Sequence, residues 1–195
     1  MDIQIRSHAS LPAPHREGGM SLLSALTRRH STRVYNDRAV PEQLLSDLLW
    51  AACGVNRPET GGRTAPSARN WREIDIYVAT SAGAWRYGPE DHCLYPVLSR
   101  DVRASTGLQD FVGTAALELV YVADLARMEV TEPLERRFYC GVDAGTMAQN
   151  VYLFCAAAGL ATVVRGLVDR SSLVRTLGLG ARQRVLLAQT VGFAA

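Results

Sequence analysis

Lysine is absent from this 195-residue chain, and all 21 of its basic residues are arginine. Without lysine side chains the protein can form neither a lysine Schiff base nor the lysine contact of a phosphate-binding P-loop. The catalytic classes that depend on these contacts are therefore excluded. The net charge is only +2, which gives no general attraction to nucleic acid or to a membrane surface.

Cysteine and histidine are too few and too scattered to indicate a metal site. The four cysteines have no C-x-x-C spacing, and the four histidines have no H-x-x-x-H spacing. Cysteine is among the most buried residue types when it is not in a disulfide. We therefore expect reduced cysteines, most of them in the core, and no bound metal.

Long uninterrupted apolar runs are also missing. The most apolar stretch, 147–164, contains Gln149, Asn150 and Gly159, which indicates a buried helix followed by a strand and not a membrane span. Residues 1–19 have no apolar segment of the signal-peptide type. The expectation is a soluble, cytoplasmic protein with residues 1–19 as a loose arm and residues 20–195 as one domain.

The hydrophobic periodicity predicts a chain that mixes helices and strands. Apolar residues recur at helical spacing after Pro41, and a longer helix is predicted from Pro133 to Ala158. The predicted strands are 73–80, two short strands around Gly88-Pro89, 115–124, 160–166 and 183–192. These elements predict an α+β (mixed α/β) fold, in which helices flank a central, mostly antiparallel sheet of four to five strands.

None of the common catalytic motifs is present. The chain has no G-x-S-x-G nucleophile elbow, no G-x-G-x-x-G dinucleotide fingerprint and no H-E-x-x-H zinc motif. Its carboxylates are scattered, without an acid–base pair on one element. If this protein is an enzyme, a cofactor supplies the difficult chemistry, and we assign no catalytic side chain.

Arginine is concentrated in the stretch RRHSTRVYNDR, from Arg28 to Arg38. Two interpretations fit this cluster. A solvated helix end accounts for Arg28 and Arg29, because cations stabilise the negative end of a helix dipole. An anionic ligand accounts for the cluster equally well, because guanidinium groups bind phosphate in a bidentate manner and Ser31 adds a hydroxyl donor.

A second polar concentration, APSARNW at 65–71, lies in an eighteen-residue segment (55–72) that is rich in glycine, proline and polar side chains. Loops of this length are usually functional or disordered. The amide of Asn70 offers a donor and an acceptor together, which suits the edge of a flat heterocycle. A simple polar turn explains the same residues.

Taken together and in this order, the segments resemble the nitroreductase superfamily of flavin enzymes. Its members have a helix leading into R-R-S-x-R, a helix that opens with V-P-E, and then A-P-S-x-x-N before a strand. The corresponding segments here are RRHSTR (28–33), VPEQLL (40–45), APSARN (65–70), MAQNVYLFCAAAGLATVVRG (147–166) and LAQTVGF (187–193). The pieces LLWAACGV and RTAPSA are also similar to the branch that includes azoline-oxidising dehydrogenases of peptide natural products.

The resemblance implies an FMN cofactor bound at the interface of a homodimer. In this family the first motif holds the phosphate and approaches the N1/O2 edge of the ring, and His30 would contribute its backbone at most. The second motif usually comes from the partner subunit, where Asn70 would bond the pyrimidine edge, and 164–166 passes the ring near N5. The cofactor-binding residues that this resemblance implies are Arg29, His30, Ser31, Arg33, Pro66, Ser67, Asn70, Val164, Arg165 and Gly166.

The reaction that the resemblance implies is ping-pong. NADH or NADPH gives a hydride to FMN, and a small oxidised acceptor such as a nitroaromatic, a quinone or an enone then takes it. Two alternatives stay open: an azoline-type peptide dehydrogenase that uses FMN without nicotinamide, and a non-catalytic flavin-binding protein. The partners are a small-molecule substrate and a second copy of the chain, with no nucleic acid and no membrane.

Overall fold

The computed structural model describes residues 8–129 and 132–195. The helices are α1 (Leu22–Arg28), α2 (Glu42–Cys53), α3 (Pro133–Ala158) and α4 (Arg170–Thr176). The strands are β1 (Ala9–Ser10), β2 (Val55–Arg57), β3 (Gly62–Arg63), β4 (Ile74–Thr80), β5 (Gly83–Gly88), β6 (Cys93–Leu98), β7 (Leu117–Asp124), β8 (Ala161–Arg165) and β9 (Gln183–Gly192). In the described part of the chain, no helix is long and apolar enough to cross a membrane.

Seven of the strands form one sheet in the order β1-β6-β5-β4-β7-β9-β8, and every neighbouring pair is antiparallel. The predicted antiparallel α+β fold is confirmed, but the sheet has seven strands where four to five were expected. The hairpin β5–β6 continues the sheet, and the short β1 adds an edge by pairing Ala9 with Leu94. A two-residue strand has no periodicity from which the sequence could predict it.

The long helix α3 has the predicted bounds, and local signals explain both of its ends. The Glu132 side chain accepts a hydrogen bond from the Leu134 amide, and Pro133 occupies the first turn, where its missing N–H is not needed. At the other end Gly159 adopts a left-handed φ of 72°, as a helix-terminating glycine commonly does. The predicted helix from Pro133 to Ala158 is therefore confirmed.

The core has two parts, one on each face of the sheet. Strand β7 alternates between them: Leu119 and Tyr121 face the cluster that contains α2 and α3, whereas Val120 and Val122 face the cluster that contains α4. This alternation follows from the two-residue period of a strand. All four cysteines are buried and unpaired, which confirms their prediction as core residues.

Residues 8–19 of the predicted arm lie against the domain. The His15 amide donates to the Asp47 carboxylate over 2.8 Å, and the Ser46 hydroxyl donates to the Pro12 carbonyl. Residues 1–7 lie outside the described residues. The predicted division at residues 19 and 20 stays a prediction.

A buried ion pair joins β8 to β7 across the intervening strand β9. Arg165 Nη2 lies 2.5 Å from Glu118 Oε2, and the two side chains are only 2% and 0% exposed. Arg165 also donates to the Thr190 hydroxyl over 2.8 Å. A Cβ at Gly107 would lie 1.8 Å from Arg165 Nη1, so a side chain at this position would have to displace the Arg165 guanidinium. Burial raises the pKa of Glu118 to about 7, although Arg165 opposes the shift.

Replacing Arg165 with alanine should destabilise the protein strongly, because it leaves Glu118 buried without its partner. We expect a loss of about 3–5 kcal/mol in the free energy of unfolding, measured by urea denaturation. Adding Glu118→Gln should recover part of the loss by removing the unpaired charge. The exposed Arg184→Ala is the matched control and should stay within about 0.5 kcal/mol of the parent. A loss equal to that of the control would show that the pair is not structurally important.

Candidate functional site

The first motif is an extended segment that follows α1 and lies beside β8. The Thr32 amide donates to the Thr162 carbonyl over 3.0 Å, and the Tyr35 hydroxyl donates back to the Thr32 carbonyl. This pairing holds the backbone while Ser31 and Arg33 remain exposed. The His30 ring is exposed and hydrogen-bonds to the Arg28 carbonyl. The segment therefore presents its polar side chains outward from a fixed backbone.

Tyr152 on α3 links this motif to the strand end at 164–166. Its hydroxyl lies 2.9 Å from Ser31 Oγ and accepts the Val164 amide hydrogen over 2.9 Å. The Arg29 guanidinium lies 5.4 Å from the centre of the Tyr152 ring. Three of the predicted site residues thus meet at one phenol, and sequence reasoning did not include it. The only signal was a tyrosine within an apolar helix, whose hydroxyl needs a partner when buried.

In the segment 164–166 the side chain of Arg165 is buried and Gly166 is exposed. Because Glu118 binds the buried Arg165 side chain, a contact between Arg165 and a cofactor would come from its main chain alone. Gly166 is exposed, and a Cβ built there meets nothing within 4 Å. The main chain after β8 is therefore open to a ligand.

The second motif is a short 3-10 turn, Ala68–Asn70, and the buried carboxylates of Glu73 and Asp143 hold its first residues by hydrogen bonds. The Ala68 amide donates to Asp143 Oδ2 over 2.8 Å, and the Ser67 hydroxyl donates to Glu73 Oε2 over 3.2 Å. Pro66 and Asn70 are exposed. The predicted loop 55–72 thus contains the hairpin β2–β3 and an anchored turn.

Backbone strain is concentrated in this turn. Arg69 and Asn70 have φ values of 48° and 57°, in the left-handed region that favours glycine. Asn tolerates this conformation, but Arg adopts it at a cost. Arg69 therefore stands at a position whose backbone conformation favours glycine.

The two anchoring carboxylates form a buried acid pair. Glu73 is fully buried, Asp143 lies against it, and Glu73 Oε1 has no other hydrogen-bond partner among the described residues. Burial, and after it the charge of Asp143, raises the pKa of Glu73 to about 7 from an ordinary value of 4.5. A proton on Glu73 can be donated to Asp143, which gives the pair a hydrogen bond in place of a repulsion.

The two motifs lie at different levels of α3. Tyr152 contacts the first and Asp143 anchors the second, and their separation of nine positions along the helix corresponds to roughly 13 Å. The cavity beside Pro66, Ser67 and Asn70, of about 210 Å³, has no residue of the first motif in its lining. One chain therefore brings Arg29, Ser31 and Val164 together and keeps Asn70 apart from them. No group of three or more potential metal ligands occurs among the described residues.

Comparison with known proteins gives one consistent result. The model of the nitroreductase family matches residues 26–193. A protein of Methanocaldococcus jannaschii assigned as a nitroreductase is 31% identical over 157 residues, which is 75% of this chain and 79% of that protein. A crystal structure of a protein from Ralstonia eutropha JMP134, also assigned as a nitroreductase, has 46% identity and a TM-score of 0.93, and the match covers 98% of this chain and 91% of that one.

A more distant structural match was solved in complex with FMN. This protein from Desulfovibrio desulfuricans, assigned as a nitroreductase, has 22% identity and a TM-score of 0.66, over 91% of this chain and 88% of that one. At this identity the match shows a shared fold.

Glu73→Gln should change how stability depends on pH. Because the pKa of Glu73 is higher in the folded protein than in the unfolded chain, its folded form binds the proton more tightly. The stability that the folded protein gains from this bound proton is fully present below about pH 4.5. It is lost as the pH rises to about 7 and stays lost above that. We expect the variant to be more stable than the parent by about 2 kcal/mol at about pH 8, with a smaller gain at about pH 5, measured by urea denaturation.

The control is Glu59→Gln, an exposed residue in the turn between β2 and β3. It removes the same charge without burial and should leave the pH profile of the parent unchanged. Identical profiles for the two variants would show that Glu73 does not titrate as described.

Proposed function

Because the chain belongs to the nitroreductase family of oxidoreductases, we propose that it binds FMN and transfers hydride from NADH or NADPH to a small oxidised acceptor. The observation that carries this proposal is the Tyr152 hydroxyl, which bonds both Ser31 and Val164. It brings the phosphate-binding candidates next to the strand end proposed to pass the flavin ring. The relative solved with FMN supports the choice of cofactor.

The first motif suits the phosphate of FMN. Among the described residues neither Arg29 nor Arg33 forms an ion pair with a carboxylate. Both guanidinium groups are thus available to an anion, and Ser31 adds a hydroxyl. Guanidinium binds phosphate with paired, charge-assisted hydrogen bonds. We assign the phosphate to this segment and give Arg165 no charge contact with it.

The ring of the flavin would lie between the strand end and the second motif. We propose that the exposed Gly166 amide donates to the ring near N5 and that the exposed Asn70 amide bonds the pyrimidine edge. FMN, when bound, supplies a centre that accepts and releases hydride. The protein residues bind and orient it and need no nucleophile. A nitroaromatic, a quinone or an enone is the proposed acceptor.

A second copy of the chain is part of this proposal, since one chain keeps Asn70 away from the first motif. Two helices leave apolar residues uncovered: Leu22 and Leu23 of α1, and Leu134 and Phe138 of α3, are all more than 60% exposed. Gly141 and Gly145 on α3 have open space around them, which admits close approach of another backbone. Large exposed apolar patches commonly mark interaction sites. We propose that this face forms a homodimer whose partner supplies the second motif.

The cofactor is tested by purifying the protein and titrating it with FMN. We expect a flavin spectrum and saturable binding, and Arg33→Ala should weaken FMN binding by about 1.5–3 kcal/mol because a charge-assisted contact is lost. Arg28→Ala, which removes the same charge from the last turn of α1, is the control. Unchanged FMN affinity in Arg33→Ala would remove Arg33 from the site.

Anaerobic mixing of the FMN-loaded protein with NADPH or NADH tests the reaction itself. Fast loss of the oxidised flavin absorbance, followed by its return with a quinone or a nitro compound, is the expected result. Bound flavin that nicotinamides do not reduce would favour the azoline-type dehydrogenase or a non-catalytic role. A colourless protein that takes up no FMN would defeat the proposal as a whole.

The dimer is tested by placing a charge on its proposed face. Phe138→Glu should produce monomers in sedimentation experiments and weaken FMN binding in parallel, because the second motif would no longer reach the first. Ala82→Glu adds the same charge to the exposed turn between β4 and β5 and should leave the dimer intact. A parent protein that sediments as a monomer with FMN bound would contradict the proposal.

A further inference from the structure

A cationic cavity lies beside the second motif. Its volume is about 210 Å³, and it shares Pro66, Ser67 and Asn70 with the proposed flavin site. Three arginines, Arg57, Arg63 and Arg72, also line it, and no carboxylate does. A concave site with three guanidinium groups and no acid is suited to an anion.

The charges around this cavity are only partly balanced. Arg63 pairs with Glu90, and the distance between Nη2 and Oε1 is 2.5 Å. Within the described ranges, 8–129 and 132–195, Arg57 and Arg72 pair with no carboxylate. Arg57 Nη2 reaches the Arg63 carbonyl over 3.3 Å, and Arg72 Nε donates to Asn70 Oδ1 over 2.9 Å. Two positive charges therefore remain at the cavity after the ion pair is counted.

The hairpin between β2 and β3 is shaped to admit these side chains. A Cβ at Gly62 would lie 2.3 Å from Arg57 Nε, and a Cβ at Gly61 would lie 3.3 Å from both terminal nitrogens of Arg72. Gly61 also has a left-handed φ of 65°. The paired glycines thus allow two guanidinium groups to lie against the main chain, where larger residues would push them away.

Two further features of the arginines that line this cavity are typical of a ligand site. Arg72 has a φ of 52°, a conformation that costs free energy for a residue with a side chain and that tends to occur at ligand sites. The Arg63 side chain is only 9% exposed, and its Nε is buried with no hydrogen-bond partner in the described structure. A buried donor without a partner is costly. This Nε is closed to solvent, so an anion in the cavity would give acceptors to Arg57 and Arg72, which pair with no carboxylate among the described residues.

We propose that Arg57, Arg63 and Arg72 form an oxyanion-binding subsite that selects reactants carrying a carboxylate or a phosphate. The selectivity rests on the function proposed above, whereas the binding of the anion does not. At about 210 Å³ the cavity holds the volume of about seven waters, which suits a benzoate-sized acid or one terminal group of a larger molecule. The carboxylate would belong to the acceptor, and the phosphate would be the additional phosphate of NADPH.

The anion itself is tested by calorimetry with benzoate, benzamide and inorganic phosphate, using the protein as purified. Arg57→Gln is the variant, since the hydrogen bonds of Asn70 and of the anchoring carboxylates in the described structure do not involve Arg57. We expect its affinity for the bound anion to fall about tenfold or more, with benzamide unchanged. Arg100→Gln, an exposed residue away from the cavity lining, is the control for charge. If neither benzoate nor phosphate binds more weakly to Arg57→Gln, the subsite is wrong.

Steady-state kinetics separate the two sources of the anion. If the acceptor supplies it, Arg57→Gln should raise the KM for 4-nitrobenzoate and not for 4-nitrobenzamide. If the reductant supplies it, the variant should raise the KM for NADPH and not for NADH. Equal changes in KM for the two members of each pair would overturn the proposal. So would a weaker affinity for FMN with unchanged affinity for riboflavin, because the arginines would then hold the phosphate of the cofactor.

The calorimetric result does not depend on flavin chemistry. Anion binding that is lost in Arg57→Gln would support the subsite even in a protein that takes up no FMN. Failure of the subsite and failure of the proposed function are therefore distinguishable.

Discussion

Burial of the long helix α3 against the sheet is the interaction on which the candidate site depends. Residues such as Met147, Val151 and Cys155 lie in the core cluster with residues of β4 and β7. This packing fixes the position of the helix along the sheet. From that position Tyr152 reaches Ser31 and Val164, and Asp143 reaches the Ala68 amide. Apolar packing thus places two polar anchors, and the anchors place the segments that would meet a ligand.

Burial also decides what each arginine does. Arg165 is buried with Glu118, where the pair has a structural role and removal of one partner costs free energy of unfolding. Arg29 and Arg33 have the same chemistry but lie where a ligand can reach them, and no carboxylate among the described residues pairs with them. Around the second motif, Arg57 and Arg72 resemble these two. A chain without lysine therefore uses one side-chain type both to build its interior and to present charge.

The geometry of one chain is also the reason for proposing that a second copy completes the site. The two motifs contact α3 at residues nine positions apart, Tyr152 for the first and Asp143 for the second. Apolar side chains on α1 and α3 are also exposed to solvent. Bringing a second copy onto those side chains would cover apolar surface and supply Asn70 to the first motif in one step. The strained turn at Arg69 and Asn70 would then lie at a subunit boundary, where its conformation is held by the buried acids beneath it.

Local patterns were enough to predict much of this protein. The helix from Pro133 to Ala158 followed from its periodicity and its terminal glycine, and the order of the motifs was enough to indicate the family that the comparisons confirm. The partners of individual side chains did not follow, because Ser31 and Tyr152 are 121 residues apart and Arg165 and Glu118 are 47 apart. Strand β1 at the edge of the sheet was missed for a similar reason, since two residues form a strand only when an edge is there to pair with. Sequence spacing determines which residues share a face of one element. Only the packing of the sheet and helices decides which residue on another element meets that face. It also decides whether the contact is buried or open to solvent.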